Sequence, residues 1–141
     1  MSTRSCLVVS ILLVVPLTAA AQTLDWPTSI VCSLGDPTIC TPEGCHQAPL
    51  DTLDLPRLIR MDLEAGVMHA VTPEHAGRRS SFEIIDRSET KLVIRGYENG
   101  RAFSGVLDEP GTLALSASVE GTTFAVFALC TDLKLIVDAG R

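Results

Sequence analysis

Catalysis and metal binding need nucleophiles, acids, bases or ligands held close together, and one short stretch of this chain gathers several. Residues 40–46, CTPEGCH, carry two thiols, a carboxylate and an imidazole. A c-type haem site would require C-x-x-C-H, and here four residues separate the cysteines. Thioredoxin-type exchange also requires C-x-x-C, at a helix N-terminus that lowers the thiolate pKa, and no helical pattern follows. Zinc could draw on Cys40, Cys45, His46 and a distant fourth ligand. The remaining reading is covalent: Pro42 and Gly44 suit a tight reversal that would let Cys40 and Cys45 form a local disulfide.

The other reactive groups are sparse. Besides His46, only His69 (in VMHAV) and His75 (in TPEHAGRR) are imidazoles; the expectation is one core histidine and two in loops. Neither G-x-S-x-G nor H-E-x-x-H occurs. Carboxylates pair at Asp62/Glu64 and Asp108/Glu109, but a sugar cleft also needs aromatic walls. Trp26, Tyr97 and four phenylalanines are all the chain has. These acids are expected to be solvated turn residues. Arg78-Arg79 could clasp a carboxylate or phosphate, with a solvated turn as the plainer reading. No glycine-rich phosphate loop is present. The chain therefore reads as non-enzymatic, with no catalytic residue, metal or cofactor assigned.

Where these groups work depends on the first 21 residues. Arg4 precedes an apolar run from Cys6 to Leu17, and small residues at Ala19 and Ala21 follow. This is the three-part pattern of a secretory signal peptide, predicting cleavage near Ala21 and a periplasmic or extracellular location. The run is shorter than the roughly 20 residues that span a bilayer, so contact with the membrane is expected only during export. Residues 22–141 then form one domain with its own core. Without Arg4, ten basic residues face seventeen acidic ones, a net charge of about −7. That balance excludes nucleic acid as a natural partner and permits a basic one.

Losing the leader removes Cys6 and leaves Cys32, Cys40, Cys45 and Cys130. An even count in a small exported chain implies disulfides. Cys40–Cys45 with Cys32–Cys130 is one pairing, and Cys32–Cys40 with Cys45–Cys130 is its rival.

Between turn signals lie short apolar or alternating runs: 29–34, 57–63, 67–71, 81–86, 91–97, 101–108, 112–119 and 123–130. A run at 133–137 extends the last strand or adds a ninth. Asn99-Gly100 and Asp108-Glu-Pro-Gly111 are hairpin signals. Leu92 and Ile94 oppose Lys91, Val93 and Arg95. Leu113, Leu115, Ala117 and Val119 likewise share a face. Period two with one polar face predicts an all-β domain: an antiparallel meander of about eight strands that closes into a barrel or sandwich. Residues 35–56 are expected as the one long irregular loop. Long loops in compact domains are stapled or functional, which makes Glu43 and His46 the candidate binding residues.

Several stretches carry a resemblance. The leader, "CTPEGC", "DLPRLIRMDL", "RAFSGVLDEPGTLAL" and the closing "FALC" resemble a group of small exported bacterial proteins of unknown function. In build the chain is more distantly similar to the periplasmic lysozyme-inhibitor barrels, which are small, eight-stranded and disulfide-bridged. Those couple a Ser-Gly to a following aromatic residue in an inhibitory loop. Here Ser104-Gly105 is followed by Val106 and Leu107, so no inhibitory residue carries over. The expectation is a binding domain for an unknown protein or small ligand. Inhibition of a cell-wall hydrolase such as lysozyme, carriage of a small apolar ligand and a small hydrolase using His69 or His75 are the alternatives.

Overall fold

The computed structural model describes residues 26–109 and 111–132. The expected leader (1–21) and the expected run at 133–137 lie outside them. Among the described residues there are ten strands: β1 Ser29–Leu34, β2 Thr38–Thr41, β3 Gly44–Gln47, β4 Leu58–Asp62, β5 Val67–Ala70, β6 Arg79–Arg87, β7 Lys91–Glu98, β8 Arg101–Asp108, β9 Thr112–Val119 and β10 Thr122–Asp132. All pairings are antiparallel. Eight strands close a barrel in the order β1-β4-β5-β6-β7-β8-β9-β10, and β10 returns to β1. Closure leaves no long edge open to another chain.

The alternation in the sequence decides which side chains go inside. On β10, Phe124, Val126, Ala128 and Cys130 are buried, while Phe127 and Leu129 are exposed. Leu92, Ile94, Leu107, Leu113 and Met61 are fully buried and form the barrel's centre with Ile30, Ile59 and Val126. Two inward positions are glycine because their neighbours fill the space. The Phe103 ring lies where a Cβ on Gly96 would be, and a Leu115 methyl does the same at Gly105. Small and large residues thus alternate across the interior. Asn99 and Gly100 both have positive φ, 48° and 79°, as a two-residue type I′ hairpin turn demands.

The segment 35–56 is not the irregular loop expected. At Gly35-Asp36-Pro37 the chain bends, with the Gly35 N–H donating to the Phe127 carbonyl at 2.8 Å. It then continues along the same edge of β10 as β2, pairing Cys40 with Thr123 and Ile39 with Phe124. It turns back as β3. A 3-10 turn follows at Leu50–Leu53, ended by Asp54 at φ 52°. Leu50 is 2% exposed. Leu50 packs into the main core, while Ile39, Ala48, Ala117 and Phe124, with Leu53, Leu55 and Phe103 against them, build a second apolar layer. Residues 48–56 therefore cap one end of the barrel. Trp26 packs on the main core, and its indole N–H donates to the Ser88 carbonyl at 2.9 Å.

The remaining boundaries move by small amounts. β6 starts at Arg79 and carries a bulge at Ile84/Asp86, which leaves Ile85 exposed. β10 runs on to Asp132. Cys32 is bonded to Cys130, a separation of 98 residues, and Cys40 to Cys45, a separation of five. The first bridge ties directly opposed partners of β1 and β10, and the second ties β2 to β3.

Candidate functional site at the barrel mouth

The capped end of the barrel gathers most of the groups with chemical potential. It is formed by the β2–β3 hairpin, the cap at 48–56, the segment 71–78 and the β7–β8 turn. Glu43 and His46 lie on the hairpin, where all four β3 residues are exposed. β3 pairs only with β2, so no described strand covers its outer edge. The Thr41 hydroxyl has one proton and two acceptors, the Glu43 carboxylate and the Gly44 carbonyl at 3.5 Å. The charged acceptor makes the stronger bond. That bond, helped by Glu43's own backbone N–H, holds the Glu43 pKa below its ordinary value. With both sulfurs in the disulfide, Cys40 and Cys45 supply no thiolate for zinc. Among the described residues no cluster of histidine, cysteine and carboxylates has the form of a metal site.

Arg78, read from sequence as a solvated turn residue, is a clamp. Its Nε donates to Glu98 Oε1 at 2.6 Å and its Nη2 to Oε2 at 3.3 Å, the bidentate fork that suits a carboxylate. Nη1 donates to the Asp54 backbone carbonyl, and Asp54 Oδ2 lies at 3.4 Å. The Glu98 hydrogen bond raises the Arg78 pKa against the opposing effect of partial burial. The guanidinium thereby ties the cap to the β7–β8 turn. Arg101 adds a second tie: Nη1 donates to the Leu53 carbonyl at 3.1 Å, and the guanidinium lies 5.9 Å from the centre of the Phe124 ring. Arg78 had a signal in sequence, as a possible carboxylate clasp. Glu98 and Arg101 had none, because their meeting with the cap depends on barrel closure.

The histidines differ from the expectation of one core residue. His69 is exposed on β5, and with its neighbours Met68 and Ala70 it borders the cavity beneath the cap. His75 is half-buried: Nε2 is 3.1 Å from Asp54 Oδ1, and Nδ1 is 3.2 Å from the Thr72 hydroxyl. The partners set the tautomer, with Nε2–H donating to the carboxylate and Nδ1 accepting the hydroxyl. A hydroxyl, an imidazole and a carboxylate are thus aligned. None of the three lines the cavity below the cap, and the string acts as a third tie on Asp54.

That cavity has a volume of about 90 Å³. Leu34, Leu55, Ile59, Met68, Phe103 and Phe124 form much of its wall, and Arg78, Glu98, Arg101 and Ser80 are among its polar groups. Carriers of drug-sized ligands enclose roughly 300–1,000 Å³. Ser104 and Gly105 lie mid-strand in β8. Ser104 faces out and bonds to Ser116 at 3.3 Å, and Gly105 faces the core. No known protein family, curated protein or solved structure matches the chain.

Proposed function

We propose that the protein is an exported, non-enzymatic binding domain that recognises its partner through the β2–β3 hairpin. One observation carries the reading: among the described residues the β2–β3 hairpin is the strand pair outside the closed barrel, stapled by Cys40–Cys45, joined to β10 through β2 and exposed all along β3. A cross-link in a protruding hairpin reduces the entropy lost on binding. Its outer edge suits strand addition by an extended segment. The Glu43 carboxylate, its pKa lowered by the Thr41 hydroxyl, and the acidic charge of the chain favour a basic partner by steering. Export rests on the leader pattern and agrees with two disulfides. Among the described residues no helix is long and apolar enough to cross a membrane.

The test is affinity capture from periplasmic and host extracts with the wild type and a Glu43→Lys/His46→Ala variant. The expected outcome is a partner retained by the first and reduced at least tenfold by the second. Equal recovery by both would remove the hairpin from recognition. Purified lysozyme serves as a defined partner in the same experiment. If the inhibitor reading holds, a micromolar excess of the protein protects cell walls from lysis; no protection ends that branch.

A further inference from the structure

The cavity beneath the cap is independent of the hairpin and carries its own chemistry. In a chain with net charge −6, its charged lining is positive: two guanidiniums, Arg78 and Arg101, against the single carboxylate of Glu98. Glu98 is already held by both arms of Arg78. Arg101 is different. Among the described residues no carboxylate lies within ion-pair distance of it, and it makes one hydrogen bond, to Leu53. A guanidinium has five N–H donors, and since no described side-chain nitrogen is buried without a partner, the remaining donors of Arg101 are open to solvent or to a ligand. Glu98 and Arg101 are direct partners across β7 and β8. Ser80 reaches the same level, because the next residue, Ser81, pairs with Tyr97. Ser80 is the cross-strand partner of buried Met68 and so faces inward. Its hydroxyl has no side-chain hydrogen bond among the described residues, yet it borders the cavity.

We propose that this cavity binds a carboxylate carrying a short aliphatic tail, with the carboxylate on Arg101 and the tail among Leu55, Met68, Phe103 and Phe124. The planar fork of arginine matches a carboxylate, and the aromatic face behind it holds the guanidinium in place. The volume sets the tail. About 90 Å³ is roughly three waters' worth of space and smaller than the roughly 150 Å³ that admits benzene. A tail of about four carbons fits within it. Two sources share this chemistry: a free short-chain acid, and the C-terminal carboxylate of a peptide ending in a small aliphatic residue.

The experiment is an amide-resolved NMR titration of the oxidised full chain with 3-methylbutanoate, its uncharged amide 3-methylbutanamide, and N-acetyl-glycyl-valine. Saturable shifts at Ala70, Ser80 and Ala117 are expected with at least one carboxylate and not with the amide. Saturation by the acid alone assigns a free acid, and saturation by the peptide alone assigns a C-terminus. Arg101→Gln is expected to weaken binding at least tenfold. Ala70→Leu, which fills the space and leaves Arg101 in place, is expected to abolish it and guards against a folding defect in the first variant. No saturation by about 10 mM, equal binding of the amide, or binding unchanged in both variants would overturn the assignment. The Glu43→Lys/His46→Ala variant retains carboxylate binding, so failure of the hairpin reading is separable from failure here.

Discussion

Arg78 shows how one side chain can organise a whole end of a barrel. Its side chain is 17% exposed and that of Glu98 21%, so removing one partner leaves the other largely desolvated and unpaired. Arg78→Ala is expected to cost about 2–3 kcal/mol of stability in a urea titration. Arg78→Lys should recover less than half of that, because an ammonium cannot reproduce the fork. An unchanged midpoint for Arg78→Ala would reduce the clamp to a surface ion pair. At this scale local sequence says least about which way a side chain faces. His69 sits between apolar neighbours and was expected inside. Met68 and Ala70 set the inward phase of β5, while Val67 is buried by its place at the strand end. Four residues of strand are too few for period two to distinguish those causes.

At the scale of elements, the hairpin and the cap divide the segment that the sequence presents as a single loop. Its prolines and glycine mask two four-residue strands, because turn residues dominate any window wide enough to test alternation. The two disulfides acquire different roles from this arrangement. One closes a span of 98 residues and the other a span of five. In the chain-entropy model the first stabilises by about 4–5 kcal/mol and the second by about 2. Replacing Cys32 and Cys130 by alanine should therefore lower the unfolding free energy about twice as much as replacing Cys40 and Cys45. Hydrogen exchange should separate them further. Loss of the second bridge is expected to speed exchange in β2 and β3 only, and equal acceleration throughout the barrel would contradict a local role.

For the whole molecule, closure is the long-range event. The meander from β4 to β10 pairs neighbours in sequence, whereas β1 must find β10 some 98 residues away. Non-local pairing slows folding, with all-β domains typically requiring milliseconds to seconds. The Cys32–Cys130 bridge holds those two strands together in the unfolded chain. Refolding followed by Trp26 fluorescence should be slower in Cys32→Ala/Cys130→Ala than in the oxidised wild type. Equal refolding rates would mean that β1 docks after the rate-limiting step.

The sequence by itself determined the class of fold and most of the barrel, because strand alternation and turn chemistry are local. Leu92, Ile94, Leu113 and Ala117 are inward for reasons visible within eight residues of each. It also set an even number of cysteines after the expected leader, and left their pairing open. The tertiary structure decided the rest. Register placed Cys32 opposite Cys130, and the bend at Gly35-Asp36-Pro37 carried the chain from β1 to β2 along one edge. Closure brought Arg78 and Arg101 onto cap residues 24 and 48 positions earlier in the chain, with Glu98 on the Arg78 fork. Such a site depends on which strand ends meet around a barrel, and no spacing along the chain encodes that.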